Sequence, residues 1–189
     1  MFNILLDEKP TTWNGYPINT DFRVGIQIMQ ITYDNELSDG EKMALIVDLL
    51  FSGIKPTTPE ELAECLNWYL QGWLMDKNPK GKQGPRVLDF DVDQWRIYSA
   101  FMSQYHINLN TADLHYWEFM GLLSTLDECA FTRIADIRSK KIDAKMSKEE
   151  KKALAEVKKI YALEETEKID NQHEVDEAVA RFMANRKGV

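Results

Sequence analysis

The chain has 189 residues, with 23 basic and 31 acidic side chains and a formal net charge of −8. Its hydrophobic content of 44%, with 11% aromatic residues, is enough to build a core that offsets the entropy of ordering the chain. No apolar run approaches the roughly 18 to 20 residues of a membrane-spanning helix, and residues 1–10 are too short and too acidic for a secretory signal. The composition therefore predicts a soluble globular chain.

Only the N-terminal region has a sequence pattern that predicts extended structure. An apolar run, Phe2 to Leu6, precedes an Asn14-Gly15 pair, which readily adopts the positive φ angles of a tight hairpin turn. We therefore expect a short β-hairpin or an extended lead-in. Thr20 or Asp21 then caps a helix that continues to about Tyr33.

Two further helix starts follow. Ser38 and Glu41 form a capping box, in which each side chain bonds the backbone amide of the other residue. Gly53 is expected to end this helix in a left-handed conformation. Thr58 with Pro59 repeats the start signal, because proline at the first helical position loses no hydrogen bond.

A polar stretch, residues 77–86, interrupts the helical pattern and predicts a surface loop. Its glycines lack the spacing and the hydroxyl of a phosphate-binding loop. The alternating carboxylates of residues 89–93 do not fit a calcium loop, because Gln94 and Ala100 occupy the positions that require Gly and Glu. We expect Asp91 or Asp93 to cap a helix that continues to about Tyr105.

Two more helices complete the predicted body. Asn110 or Thr111 is expected to start a helix over 112–126 that is apolar around nearly its whole circumference, as in a central helix. Gly121 within it predicts close approach of a neighbouring backbone. A further helix is expected over about 130–140.

The last quarter of the chain predicts a helical extension. Ser147 and Glu150 form another capping box, which opens an amphipathic helix. Residues 175–183 repeat a helical apolar stripe that either docks on the body or binds a partner. The predicted fold is mainly α: a compact multi-helix body with an N-terminal hairpin over 1–142, and a charged helical C-terminal extension over 143–189.

Charge is unevenly distributed. Residues 1–75 carry a net charge of −7 and residues 87–137 a net charge of −6, whereas residues 138–159 have nine basic and four acidic side chains. A basic helix can bind nucleic acid through phosphate contacts. Acidic residues alternate with the lysines at helical spacing, however, which favours a solvated helix face and makes nucleic-acid binding the weaker interpretation.

No residue pattern predicts catalysis. Cys65 and Cys129 are expected to be reduced thiols rather than a disulfide, and neither fits a redox or nucleophilic motif. No metal-binding or nucleophile motif surrounds His106, His115 or His173. His115 is expected to pack or to form hydrogen bonds. We therefore predict a protein that is not an enzyme, with no catalytic residues, no cofactor and no metal site.

Several segments carry a family resemblance. The run from Trp95 to Leu109 (WRIYSAFMSQYHINL), the run from Leu114 to Leu123 (LHYWEFMGLL) and residues 17–23 (PINTDFR) and 146–152 (MSKEEKK) resemble a family of small tail-morphogenesis proteins of tailed bacteriophages. The resemblance spans about residues 1–163. His106 stands where the family pattern has Gly, and Tyr116 stands where it has a second Trp.

The resemblance implies a tail assembly chaperone in the host cell cytoplasm that binds the tape-measure protein or other tail proteins. Self-association is left open, and membrane or nucleic-acid partners are not expected. Alternatives are a structural tail component of the virion and a nucleic-acid-binding regulator that uses residues 138–159. Because Trp is enriched in binding hot spots, exposed tryptophans and the C-terminal stripe are the candidate partner-binding residues: Trp13, Trp68, Trp73, Trp95, Val175, Val179, Phe182 and Met183.

Overall fold

The computed structural model describes residues 2–72 and 86–163. Within these ranges it contains a short hairpin and seven helices, which confirms the predicted mainly α fold. None of the described helices is long and apolar enough to cross a membrane. In chain order the elements are β1 (Thr12–Trp13), β2 (Tyr16–Pro17), α1 (Phe22–Tyr33), α2 (Asp39–Leu50), α3 (Pro59–Gln71), α4 (Gln94–Tyr105), α5 (Tyr116–Ser124), α6 (Ala130–Ser139) and α7 (Lys148–Ile160).

The described residues pack as two units. The first comprises residues 2–72 and 113–120, and the second comprises residues 86–112 and 121–163. Helix α5 contributes its first residues to the first unit and its last residues to the second. The predicted division between a body and an extension after residue 142 stays a prediction.

The N-terminal hairpin of the first unit is confirmed. Strands β1 and β2 are antiparallel, with Trp13 opposite Tyr16. The intervening Asn14 and Gly15 have φ angles of 46° and 85°. Two consecutive positive φ angles match the right-handed twist of a tight hairpin, and this is why an Asn-Gly pair predicts a hairpin turn.

Helices α1, α2 and α3 begin where their capping signals predict. The Asp21 side chain accepts a hydrogen bond from the Arg23 amide, Ser38 and Glu41 form the reciprocal capping box, and Thr58 accepts from the Glu61 amide. The prediction for Gly53 is wrong, because α2 ends in extended backbone at Phe51 and Gly53 has no left-handed φ. Phe51 is itself buried, so the chain turns into the core instead of continuing to a glycine cap.

Helix α5 begins later than predicted. Residues before Tyr116 are extended because they pair with the segment that precedes α1: the Phe22 amide donates to the Leu114 carbonyl (3.0 Å), and the Tyr116 amide donates to the Thr20 carbonyl (2.8 Å). These long-range hydrogen bonds replace the helical ones that Asn110 or Thr111 was expected to start.

Aromatic rings from the start of α5 pack into the first unit. Tyr116 stacks on Tyr69 with ring centroids 4.9 Å apart, and its ring also lies against Gly25 of α1. Trp117 lies against Gly72 in the same way. Gly121, in contrast, has no described residue within 4 Å of a Cβ atom placed on it, so the predicted close approach of a neighbouring backbone at Gly121 is wrong. Aromatic side chains make the close approaches, at Gly25 and Gly72.

The second unit is built on α4, α6 and α7. Helix α6 packs against both α4 and α7, and the buried side chains of this unit include Phe90, Ile97, Ala100, Phe101, Leu123, Phe131 and Ile134. The capping box of α7 is confirmed. Asp93 precedes α4 as predicted but makes no side-chain cap; its carboxylate instead forms buried ion pairs.

Candidate partner-binding surfaces

An exposed apolar surface lies on helix α4. Trp95 is 72% exposed, and its ring meets the half-buried Tyr98 ring edge-on with centroids 6.0 Å apart. Met102 is also exposed and follows Trp95 by seven residues, and the exposed Val92 lies in the turn directly before α4. Residues spaced by three, four and seven share one side of a helix. We call Val92, Trp95, Tyr98 and Met102 the α4 face.

The opposite side of α4 holds this face in place. Ile97, Ala100 and Phe101 are buried on that side. The Phe101 ring meets the Tyr105 ring edge-on at 5.5 Å, and the Tyr105 hydroxyl donates to the Leu122 carbonyl (3.0 Å). The α4 face is therefore an exposed apolar surface on a packed helix.

A buried ion cluster fixes the start of α4. The Arg138 guanidinium donates to both Asp93 oxygens, at 2.5 and 3.2 Å, and both side chains are buried. Arg96 donates to the same carboxylate at 3.0 Å. Arg138 also donates to the carbonyls of Val87 and Tyr161. These residues hold together α6, the segment before α4 and the residue after α7.

Sequence reasoning missed this cluster. The only signal was a basic side chain at a position in α6 that follows the buried Phe131 and Ile134 by seven and four residues. An arginine on an apolar stripe is normally buried only when it is paired. The partner, Asp93, is forty-five residues away, so no local pattern identifies it.

The tryptophans predicted as contacts differ in their surroundings. Trp13 is only 8% exposed and belongs to the core of the first unit, so its ring is not part of a free surface. Trp68 is half-buried, and its ring meets the Trp117 ring edge-on at 4.8 Å. Trp95 is the exposed one of the three. The remaining predicted contacts lie outside the described residues: Trp73, Val175, Val179, Phe182 and Met183.

Other exposed apolar side chains lie in the first unit. Leu5 and Leu6 are 87% and 82% exposed, and Ile54, in the segment between α2 and α3, is 77% exposed. The apolar run at the N-terminus could have indicated Leu5 and Leu6, but the sequence does not distinguish a surface segment from a core strand. No pattern in the sequence indicates that Ile54 is exposed.

Several basic side chains of residues 138–159 make intramolecular contacts. Arg138 is part of the ion cluster, and Lys158 donates to the carbonyls of Ile137, Arg138 and Lys140 at 3.3, 2.7 and 2.6 Å. Lys151 donates to the Ala144 carbonyl. Lys158 thus caps the C-terminal end of α6, where a positive charge is favourable. The predicted solvated face is formed by other lysines of this segment, since Lys148, Lys152 and Lys159 are exposed.

His115 has a structural role, as predicted. Its Nδ1 accepts a hydrogen bond from the Trp117 amide (3.0 Å), which satisfies an amide in the first turn of α5. A neutral ring with an accepting Nδ1 carries its proton on Nε2, which lies 3.0 Å from the Pro10 carbonyl. Burial lowers the pKa of His115 and so favours this neutral form.

The cysteines and Tyr69 are the other buried or reactive groups whose surroundings the structure describes. Both cysteines are free thiols, and burial raises the pKa of Cys65 to about 12, which opposes formation of a reactive thiolate. Among residues 2–72 and 86–163, no group of three or more His, Cys, Asp or Glu side chains is placed to hold a metal ion. The buried Tyr69 hydroxyl has no hydrogen-bond partner in the part of the chain that the structure describes, and burial raises its pKa.

Comparison with known proteins identifies a family. A search of curated proteins finds no match, and a search of solved structures finds none either. A family model described as "Bacteriophage Gp15 protein" matches residues 9–163, which covers the hairpin and all seven described helices. This match supports the bacteriophage part of the resemblance inferred from the sequence. Because it covers well over half of the chain, the protein belongs to the Bacteriophage Gp15 protein family.

Proposed function

We propose that the protein is a non-enzymatic assembly factor for phage tails, which acts in the host cytoplasm as a chaperone for the tape-measure protein. Family membership supports a role in a bacteriophage. The segments that resemble tail-morphogenesis proteins support the tail as the place of action. The single structural observation that carries the proposal is the α4 face, with Trp95 at its centre.

The α4 face has the properties that helix binding requires. An amphipathic helix binds by inserting apolar side chains into an apolar surface of its partner, and Trp is among the residues that dominate such contacts. Trp95 and Met102 are exposed before any partner is bound, while the ion cluster at Asp93 and the buried side of α4 hold the helix rigid. A rigid surface loses little conformational entropy on binding.

Net charge supports the chaperone role. The tape-measure protein, as the resemblance implies, is a long helical chain with exposed apolar stripes, which would associate with one another in water. A bound factor with a net charge of −8 masks part of each stripe and adds like-charge repulsion between complexes.

Co-expression with the tape-measure protein tests the proposal. We expect the soluble fraction of the tape-measure protein to rise several-fold and the two proteins to co-purify. Trp95→Ser should abolish both effects, because it removes the most exposed aromatic ring of the α4 face. Ile54→Ser is the matched control, since Ile54 has similar exposure elsewhere on the chain. An unchanged solubility with the wild-type chain would contradict the proposal.

Mass spectrometry of purified phage particles separates an assembly factor from a virion component. We expect the protein in the lysate of infected cells and not in the particles. A copy number in the particle comparable to that of tail proteins would contradict a transient role and favour a structural subunit.

A further inference from the structure

We propose that the α4 face selects its partner by the absence of charge: it binds a helix whose apolar stripe is flanked by uncharged side chains. This preference rests on the proposed function, because it names the class of tape-measure segment that the chaperone binds. Three features of α4 carry it: the scarcity of charged residues, the contacts of the two that are present, and the small residue between Trp95 and Met102.

The stretch that forms α4 and the turn after it is nearly free of charge. Residues 92–112 are 21 residues long, and Asp93 and Arg96 are the only Asp, Glu, Lys or Arg among them. The whole chain has 29% of such residues, so a stretch of this length would be expected to contain about six. Depletion of charged side chains, together with enrichment in aromatic residues and Met, distinguishes the core of a protein interface from the rest of a surface.

Both charged side chains of this stretch are paired within the chain. Asp93 is fully buried and accepts hydrogen bonds from Arg138 and Arg96. Arg96 also donates to the Val92 carbonyl (3.0 Å) and follows Trp95 by one residue, which places it about 100° around the helix from that ring. The exposed Asp91 lies in the turn before α4 and not on the helix. A charged side chain of a partner therefore meets no unpaired opposite charge on α4 itself.

The exposed polar side chains of α4 are all uncharged: Gln94, Ser99 and Ser103. The Gln94 side chain donates to a backbone carbonyl in the preceding turn, and the Ser103 hydroxyl donates to the Ala100 carbonyl. Amide and hydroxyl groups exchange hydrogen bonds with similar groups at much lower cost than a charge that loses its water. The border of the α4 face is therefore suited to Ser, Thr, Asn or Gln on a partner.

Ser99 leaves space for a partner side chain. It follows Trp95 by four residues and precedes Met102 by three, so all three lie on one side of α4. A small residue between larger ones forms a hole that a side chain of a second helix fills. A partner residue seated over Ser99 has an aromatic ring and a thioether beside it. If that residue were charged, it would be desolvated without a counter-charge.

The uncharged helices selected in this way are those that most need a chaperone. A helix with an apolar stripe and no flanking charge has no like-charge repulsion to keep its copies apart in water. Because the contact buries apolar surface and contains no ion pair, we expect its affinity to depend little on salt.

Fluorescence anisotropy with three labelled helical peptides tests the preference on the full chain. The peptides share one leucine stripe and differ in the residues that flank it, which are Gln and Ser in the first peptide, Glu in the second and Lys in the third. We expect the neutral peptide to bind with a Kd of about 10 to 100 µM, and the two charged peptides to bind at least about tenfold more weakly. Between about 50 and 500 mM NaCl, the Kd of the neutral peptide should change less than about threefold.

Charge placed on α4 gives an independent readout. Ser99→Glu and Ser99→Lys should each weaken binding of the neutral peptide at least about tenfold, although their charges are opposite. Ala155→Glu and Ala155→Lys, at an exposed position of α7, are the matched controls and should bind like the wild type. Trp95→Ser should also lose binding, which locates the peptide on the α4 face. Circular dichroism verifies that all variants are folded.

Three results would overturn the preference: a neutral peptide that does not bind, a glutamate or lysine peptide that binds as tightly, or opposite effects of Ser99→Glu and Ser99→Lys. The co-expression experiment reports on the proposed function separately. A solubilised tape-measure protein without a preference among the peptides leaves the chaperone role and removes the selectivity. The reverse result supports the selectivity and removes the tape-measure protein as its target.

Discussion

Gly25 shows how one residue sets the packing of two helices. It lies in α1, and a Cβ atom placed on it would overlap the ring of Tyr116, which is itself stacked on Tyr69. Glycine is required because the ring occupies the space of a side chain. Gly121, in α5, has open space in the same direction.

Substitution by alanine should therefore lower the free energy of unfolding at Gly25 and raise it at Gly121. Gly25→Ala should destabilise the protein by about 1 to 3 kcal/mol, because the core must shift to accommodate a methyl group. Gly121→Ala should stabilise it by up to about 1 kcal/mol, through helix propensity alone. Urea denaturation followed by circular dichroism measures both. A stabilised Gly25→Ala variant would contradict the packing described for Tyr116.

His106 occupies a glycine-like position. It ends α4 with a φ of 56° and a ψ of 28°, and the following Ile107 amide donates back to the Phe101 carbonyl. This is the left-handed helix end that usually contains Gly. The turn forms here with His, at the expense of a side chain in a disfavoured conformation.

His106→Gly should stabilise the protein by about 0.5 to 1 kcal/mol, because it removes the steric conflict of a left-handed residue. The side chain is exposed, so the substitution loses little packing. His106→Val, which places a β-branched residue at the same backbone angles, should destabilise it. Thermal unfolding of both variants measures the effect, and a destabilised glycine variant would exclude a strained His106.

Among the secondary-structure elements, α5 depends most on distant residues. Its first turn is capped by His115, whose other nitrogen bonds the Pro10 carbonyl. A protonated imidazole has no acceptor left for the Trp117 amide. Burial lowers the pKa of His115, the bond to the Pro10 carbonyl raises it, and the ion-paired Lys9 and Glu118 have opposite effects on it.

This cap should make stability depend on pH. Because the pKa of His115 is lowered in the folded state, the unfolded chain binds a proton first as the pH falls. The contribution of His115 is therefore complete above about pH 6.5 and is lost progressively below that value. His115→Asn keeps a capping oxygen but does not titrate, so its free energy of unfolding should fall less between pH 7 and pH 5.

The ion cluster at Asp93 couples α4 to α6. Asp93→Asn leaves the buried Arg138 without a counter-charge and should destabilise the protein by about 3 to 5 kcal/mol. Replacing both residues, Asp93→Leu with Arg138→Met, should cost less than Asp93→Asn alone, because neither charge then remains buried. Chemical denaturation of Asp93→Leu, Arg138→Met and the double variant completes a double-mutant cycle. Additive effects of the two substitutions would show that the residues do not interact.

For the whole molecule, the distribution of charge argues against nucleic-acid binding. The net charge is −8, and the basic residues Arg138, Lys151 and Lys158 bond groups of their own unit. We expect no binding to a labelled DNA duplex at about 50 mM salt, a condition that strengthens phosphate contacts. Fluorescence anisotropy measures it. Binding that weakens steeply as salt is added would restore the regulator hypothesis.

The sequence alone determined the features that depend on neighbouring residues. The Asn14-Gly15 turn, the capping boxes at Ser38 and Ser147 and the cap at Thr58 all form as predicted, because each involves residues within four positions of one another. Trp95 was predicted as a partner contact from its residue type; its ring is exposed, and its role as a contact stays a prediction. The bacteriophage resemblance likewise came from contiguous segments.

Only the tertiary structure decided the features that join distant segments. The delayed start of α5, the ion pair of Asp93 with Arg138 and the ring of Tyr116 against Gly25 each connect residues between about forty-five and ninety-five positions apart. Burial is decided in the same way. Trp13 and Trp95 are both tryptophans that the sequence predicts as contacts, yet Trp13 is buried and Trp95 is exposed. Local patterns record backbone preference, whereas burial and pairing depend on which distant residues share the same space.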